Sequence, residues 1–450
     1  IVGYFIDDLQ QIKVCQKARL MPSLLQNLPQ GWEILPFSKC VNKISIKHKV
    51  KTKDYLKNGK YPIIDQAKDF ISGYSNDENL LINIKKPVIV FGDHTRCFKF
   101  IDFNFIAGAD GIKILSPIDE FNEKLFYYFC LALKFEDKGY SRHYQFLEKT
   151  NINIPPLEVQ KAIVEKLENS FAHIDEAVHH LKAVQTNIPR LKSSLLHCAF
   201  SGKLTESQNQ SHKVQTLKSV VGVEGETLPF EPLHPLIKAE IPQGWEIKTL
   251  GEVLSNDKYA IKRGPFGSSL KKEFFVDSGI RVFEQYNPIN QDSNWKRYFI
   301  TQQKFKELES FKAGAGDLLI SCSGTLGKIL ELPKNVEVGI INQALLKIRL
   351  DNKQILNSYF VHLFNSPYMQ NIILENTIGS AIQNIASVKV LKQIKIPLPP
   401  LETQNQIVQI LESKFAHLEK LAQFVNASLE NLQRLKSSLL NQAFKGELIC

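Results

Sequence analysis

Residues 155–204, PPLEVQKAIVEKLENSFAHIDEAVHHLKAVQTNIPRLKSSLLHCAFSGKL, align without a gap to residues 399–448, PPLETQNQIVQILESKFAHLEKLAQFVNASLENLQRLKSSLLNQAFKGEL, with 25 identities in 50 positions. Such density within one chain marks an internal duplication. Each copy opens on a Pro-Pro pair, which a helix accepts at its start but not in its interior. Apolar residues then recur every seven: Leu167, Ile174, Leu181, Ile188 and Leu195 in the first copy, Leu411, Leu418, Val425, Leu432 and Leu439 in the second. A second seam runs through Val164, Phe171 and Val178, and through Val408, Phe415, Ala422 and Leu429. This 3–4 spacing predicts two long coiled-coil helices, each about 60 Å long at ~1.5 Å per residue. Pro189 stands where the second copy has Gln433, so a kink is expected there. The helices read either as a hairpin that only packs or as a spacer whose outer faces dock partners.

A second repeated pair lies outward from the helices. Leu28-Pro29-Gln30-Gly31-Trp32-Glu33-Ile34 opens the first half and Ile241-Pro242-Gln243-Gly244-Trp245-Glu246-Ile247 the second. Between opener and helix each half carries a divergent segment of short Ile-, Val-, Phe- and Tyr-rich runs punctuated by Gly, Asn, Asp and Pro. Such punctuation predicts a compact α+β domain with many short strands. The expected organisation is an extension at 1–27, a first domain at 28–153, a helix at 154–204, a polar linker at 205–240, a second domain at 241–397 and a second helix at 398–450.

Charge follows the same division. The chain of 450 residues has a net charge of +10 from 56 basic and 46 acidic side chains. Residues 28–153 contribute 19 basic and 15 acidic groups, residues 245–397 contribute 20 and 14, and the remainder is balanced. Two basic segments joined by neutral material suit a polyanion gripped at two places. No apolar run approaches the ~18 residues of a membrane helix. Seven scattered cysteines without a Cys-x-x-Cys pair point to free thiols in a reducing cytoplasm, with neither metal nor disulfide frame.

In the first segment, Lys47, Lys49, Lys51 and Lys53 alternate, which would set four ammonium groups on one side of an extended strand. The alternative is a solvated edge strand kept from aggregating by lysine. Asp93, His94, Thr95 and Arg96 follow an apolar run, and Arg142 and His143 close the segment with similar chemistry suited to base edges. In the second segment, Lys262, Arg263, Phe266, Ser268, Ser269, Lys271 and Lys272 surround Gly264 and Gly267, whose backbone amides would form a nest for phosphate oxygens. Gln285, Tyr286, Asn287, Asn342, Gln343 and Gln383 add groups able to read adenine or to stack, though a lone amide is more often structural.

Ser321 to Lys328, with Ser323, Thr325 and Lys328 as candidates, mimics a P-loop. It fails the template at Cys322 and at Ile329. Asn365-Ser366-Pro367-Tyr368 mimics an adenine methyltransferase motif but lacks its first proline. Neither a zincin motif nor a nucleophile elbow is present. The competing classes are a fused methyltransferase or nuclease, and a coiled-coil scaffold without nucleic acid.

The Pro-Gln-Gly-Trp-Glu openers, the Pro-Pro-Leu-Glu-x-Gln starts at 155–160 and 399–404, and the Arg-Leu-Lys-Ser-Ser-Leu-Leu…Ala-Phe-x-Gly helix ends resemble the DNA specificity subunit of type I restriction-modification systems, over residues 28–450. That resemblance implies two target-recognition domains, each reading half of a split, asymmetric sequence in double-stranded DNA. The two helices would form an antiparallel coiled coil that spaces them. It also implies two modification (methyltransferase) subunits as partners, restriction subunits joined through them, and no membrane. S-adenosylmethionine, ATP and Mg would be used by those partners, with no cofactor and no catalysis on this chain.

Overall fold

The computed structural model describes residues 29–108, 111–133, 142–205, 242–375 and 385–449. The extension at 1–27, most of the linker and Gln383 therefore lie outside the described residues. The rest groups into two compact units: one runs to Leu181 and resumes at Ala427, and the other is Lys182–Asn426.

The first unit begins with the opener. Trp32 N donates to Pro29 O at 3.2 Å, and Gly31 takes φ +87°, closing a turn that requires glycine. Strands β1 (Glu33–Pro36), β2 (Val41–Ile44), β3 (Tyr61–Ile64), β4 (Gly73–Ser75), β5 (Leu81–Ile82), β6 (Val88–Gly92), β7 (Phe98–Ile101), β8 (Phe105–Ala107), β9 (Ile112–Pro117) and β10 (Asn151–Ile154) follow. β1 pairs antiparallel with β10, so opener and helix start are stapled together. The others form two sheets, β2-β9-β6-β7 and β4-β3-β8-β5, with one parallel pair, β3 with β8.

The second unit repeats the plan with β11 (Glu246–Thr249), β12 (Ile261–Arg263), β13 (Phe275–Val276), β14 (Ile280–Phe283), β15 (Tyr298–Ile300), β16 (Lys312–Ala313), β17 (Leu318–Ser321), β18 (Ile329–Glu331), β19 (Gly339–Ile341), β20 (Leu345–Ile348) and β21 (Lys395–Leu398). β11 pairs with β21 as β1 does with β10. The sheets are β12-β20-β17-β18 and β13-β15-β14-β19-β16, again with one parallel pair, β14 with β19. Strand for strand, β2, β9, β6, β7 correspond to β12, β20, β17, β18, and β4, β3, β8, β5 to β15, β14, β19, β16. The two inserts, unlike in sequence, share one topology, and the second adds β13.

Helix α1 (Glu123–Ala132) in the first unit and α4 (Asn357–Phe364) in the second cover the sheets, while the short α2 (Tyr144–Leu147) closes the first unit. The repeated 50-mers are α3 (Leu157–Phe200), unbroken through Pro189, and α5 (Leu401–Lys445). The glutamine of each Pro-Pro-Leu-Glu-x-Gln start is a buried clip. Gln160, 1% exposed, donates to Glu120 O and Pro155 O and accepts from Asn122 N. Gln404 makes the matching set with Gln354 O, Pro399 O and Leu356 N.

All ten heptad residues are buried or half-buried. In the first unit the start of α3 (Leu167, Phe171, Ile174) shares a core with Phe126 and Phe129 of α1 and with Leu440, Ala443 and Phe444 from the end of α5. Antiparallel pairing there is fixed by Lys436 on Asp175 at 2.9 Å and Lys166 Nζ on Leu448 O at 2.5 Å. In the second unit the end of α3 (Leu196, Ala199, Phe200) packs with the start of α5 (Ile407, Val408, Leu411) and with Tyr359 of α4. Gln185 bonds Asn426 there at 2.8 Å. Each opener likewise meets the other copy's helix end: Gly446 stands against Pro29 and Trp32, and Gly202 against Pro242. The helices are thus structural parts of both cores as well as a pair.

Candidate nucleic-acid interface

Strand register decides which loops gather. In the first unit, Ile44 of β2 lies opposite Ile114 of β9, Gly92 of β6 opposite Ile112, Phe98 of β7 opposite Phe91, and Ile64 of β3 beside Ala107 of β8. The chain leaving β2, β3, β6 and β8 therefore emerges at one end, together with the approach to β7 and β9. In the second unit Arg263 lies opposite Leu346, Ser321 opposite Leu345, Ile320 opposite Ile329, and Phe283 beside Ile341. The exits of β12, β14, β17 and β19 and the entries to β18 and β20 likewise meet at one end. These two loop ends contain the described candidates except Arg142 and His143, which α2 brings in through Asp93, and Lys271 and Lys272, which precede β13, whose register on β15 sets its start at the opposite end of the sheet.

In the first unit the four alternating lysines do not line a strand. β2 ends at Ile44, residues 45–49 are irregular, and 52–54 form a single 3-10 turn. The cause is register: β9 begins at Ile112, so beyond Ile46 no partner backbone exists to hold an extended ladder. Val50 instead turns inward, its N–H on Ala107 O at 3.0 Å, and Lys47, Lys49, Lys51 and Lys53 stand exposed around it.

Asp93 and His143, expected to face base edges, are both buried. Asp93 Oδ1 accepts from Tyr144 N at 2.8 Å, and its carbonyl accepts from both His143 N and His143 Nδ1 at 3.0 Å. Together they fasten α2 to the loop after β6 and are withdrawn from any surface. Thr95 and Arg142 are exposed, and His94 and Arg96 half-buried. Arg96 holds a left-handed backbone, φ +62°, which a non-glycine residue adopts only when its surroundings fix it. Lys43 and Lys113 sit over the Tyr144 ring at 4.6 and 5.8 Å, adding two cations near this end.

In the second unit the phosphate nest does not form. Gly264 N–H is already given to Leu345 O at 2.8 Å, and neither Gly264 nor Gly267 takes a positive φ. Gly264 is glycine for another reason: a Cβ there would stand 1.8 Å from Asn342 O. Lys262 is half-buried over the rings of Tyr259 (5.5 Å) and Phe311 (5.0 Å), and Arg263 is half-buried beside it. Phe266, Ser268, Ser269, Lys271 and Lys272 are exposed, with Lys271 3.7 Å from Glu273.

Gln285 accepts from Ser323 Oγ at 3.5 Å, joining the loops after β14 and β17. Tyr286 stacks on Trp295 with centroids 4.3 Å apart. Thr325 and Lys328 are exposed on the loop resembling a P-loop, whose Gly324 and Gly327 serve as left-handed turn residues. Asn287 is wholly buried, holding Glu284 N, Asp292 O and Trp295 O, and so leaves the candidate set. Ser366 of the methyltransferase-like stretch is also buried, its hydroxyl on Leu363 O at 2.6 Å.

One residue escaped the sequence reading. Gln66 stands two positions past β3, as Gln285 stands two past β14, and packs beside Gly92, Gly111 and His94. Its Oε1 is buried without a hydrogen-bond partner. Aligning the inserts by strand order would have found it.

Buried cations elsewhere are structural. Lys99 gives Nζ to Asp69 O and Lys347 to Lys312 O, and burial lowers the pKa of both. Burial pushes the Cys40 thiol up to about 11 and Cys322 to about 12, so neither is a nucleophile at neutral pH. Among the described residues no group of three or more His, Cys, Asp or Glu is placed to hold a metal ion. Among them, too, no helix is long and apolar enough to cross a membrane.

A duplicated frame that presents two unlike loop ends defines a class of protein built to offer two different surfaces from one scaffold. The family model described as type I restriction modification DNA specificity domain matches residues 29–184 and 242–431, and the chain belongs to that family. It is 26% identical over 347 residues to the specificity subunit of the type I restriction enzyme EcoBI of Escherichia coli, covering 75% of this chain and 68% of that one. Against the Salmonella potsdam StySPI specificity subunit it is 25% identical, over 66% of this chain and 58% of the relative. With the Escherichia coli EcoR124I/EcoR124II subunit the identity is 25%, covering 87% and 89%. Among solved structures, the HsdS subunit from Thermoanaerobacter tengcongensis superposes with TM-score 0.53 at 18% identity, covering 94% of this chain and 98% of that one. A chain from a type I R-M system complex superposes with TM-score 0.61 at 18% identity, covering 94% and 100%. These likenesses establish a common fold.

Proposed function

We propose that this chain is the sequence-reading subunit of a type I restriction-modification complex, and that each loop end reads one half of a split target in double-stranded DNA. The observation that carries this reading is the pair of topologically equivalent loop ends, built on one strand order but furnished with different side chains. Equivalent placement gives two contacts of one kind, and different chemistry gives two unlike half-sites. Exposed lysines at both ends supply phosphate attraction without sequence preference, while amides, hydroxyls and arginines reach base edges.

The chain contributes recognition and no catalysis. Two modification subunits dock on it, restriction subunits join through them, and S-adenosylmethionine, ATP and Mg are bound by those partners. Its place is the cytoplasm, where the DNA is.

The test is co-expression with its modification subunit, in a host free of DNA methylation, followed by genome sequencing for N6-methyladenine. The expected result is one motif with two unlike halves and a fixed unspecified gap. A soluble, co-purifying complex that leaves no new methylation would overturn the reading and favour a scaffold.

A further inference from the structure

We propose that Phe266 is a wedge that parts one base-pair step in the DNA segment bound by the second unit, an inference that rests on the DNA-reading function proposed above. Phe266 is 88% exposed, against 54% for Phe424 and 49% for Phe70. Single exposed apolar residues are ordinary on protein surfaces. What distinguishes this one is its mount. Gly264, two residues before it, is pressed against the Asn342 carbonyl and gives its N–H to Leu345 O. Pro265 is buried and fixes φ between them. Ser269 N then donates back to Phe266 O at 2.9 Å, closing the tip. The backbone that carries the ring is therefore set before any partner arrives, and the entropy of presenting the ring has already been lost.

The surroundings specify the occupant. The tip lies at the loop end with Asn342, Gln343, Gln285 and Ser323, and two cations, Lys262 and Arg263, stand just before it in sequence. An apolar protein pocket would have to accept those charges along with the ring. A stacked base-pair step offers an apolar slot inside a polyanionic sheath, so ring, hydroxyls and ammonium groups all find matching chemistry. Ser268 and Ser269 stand exposed to take phosphate oxygens beside the insertion point.

The corresponding loop of the first unit carries no such ring. After β2 it reads Ser45-Ile46-Lys47-His48-Lys49, and Ile46 packs against the apolar cluster of Val88, Val90 and Ile114. The distortion therefore falls in one half-site only. Because pyrimidine–purine steps unstack most readily, the wedge also selects such a step at its position.

The experiment uses the full chain with its modification subunit and duplexes carrying the motif found by methylation sequencing. 2-Aminopurine is placed in turn at positions of each half-site other than the adenines that become methylated, since flipping of a target base would brighten the probe by itself, and end-labelled duplexes report bending by energy transfer. Wild type should brighten the probe within one half-site and bend the duplex. Phe266→Ala should abolish both signals and weaken binding roughly ten-fold or more, the scale of one aromatic–base stack removed. Phe266→Trp should retain them. Phe266→Ala indistinguishable from wild type in fluorescence, bending and affinity overturns the wedge while leaving DNA reading intact. So does loss of co-purification with the modification subunit in place of any DNA effect. A wild-type complex that methylates no split motif removes the underlying reading instead.

Discussion

The acid that follows β3 and the acid that follows β14 occupy the same position in two copies of one fold, and they are treated differently. Asp65 is buried and saturated: it accepts from Tyr55 Oη at 3.1 Å, Ala67 N at 2.8 Å and the Ser72 hydroxyl. Glu284 has its Oε2 buried with no hydrogen-bond partner, and burial raises its pKa, with Arg297 pulling the other way. The first unit uses its polar groups to brace its loop end, through Asp65 and through the Asp93–His143–Tyr144 knot. The second braces its end with backbone packing at Gly264 and with the buried Asn287 amide, while its acid, Glu284, stays without a bond at Oε2. One topology thus supports two balances of rigidity and exposure, and the frame does not dictate the reading surface.

The largest effects are expected at the helix ends. Phe444 closes the first core, 5.3 Å from the Phe129 ring, and Phe200 closes the second, 5.4 Å from Tyr359. Phe444→Ala and Phe200→Ala should each cost about 3–5 kcal/mol. In amide hydrogen exchange, Phe444→Ala should release residues 33–154 and spare 246–350, and Phe200→Ala should do the reverse. Loss of protection in both units from either variant would mean that the two cores unfold as one.

A smaller effect separates attraction from reading. Replacing Lys47, Lys49, Lys51 and Lys53 by alanine should weaken DNA binding on all sequences alike. The slope of log affinity against log salt should become shallower by ~0.9 for each phosphate that is no longer neutralised. The methylated motif should be unchanged, and altered bases in either half-site would show that these lysines read sequence.

The smallest effect belongs to Glu284. Its folded-state pKa lies above the unfolded value, so its stabilising share is complete at low pH and disappears as pH rises through the folded value. A neutral amide avoids that loss. Glu284→Gln should therefore melt above wild type at pH 8, with the gap closing near pH 4. A constant gap across that range would assign the effect to packing.

The frame was legible in the letters because its helices repeat over 50 positions and carry five core residues apiece, seven apart. The common topology of the inserts was not. A strand of three to five residues commits only two or three inward positions, and any apolar residue fills them, so sequences drift while pairing persists. Lys47 to Lys53 misled because alternation predicts a strand only where a neighbour is present to pair with, and β9 had run out. Asp93 and His143 misled because a polar hexad after a strand looks the same whether its hydrogen bonds go to bases or to a neighbouring turn. Gln66 was invisible for the converse reason: a single glutamine carries no pattern until its strand is superposed on β14.

The sharing of helix ends also sets the order in which the two cores can be completed. The first core contains Leu440, Ala443, Phe444 and Leu448, which leave the ribosome after every residue of the second, whose members reach no further than Phe415. Of these two cores, the one whose translation begins first is therefore the one completed second, and its open face waits until residues 440–448 have been made.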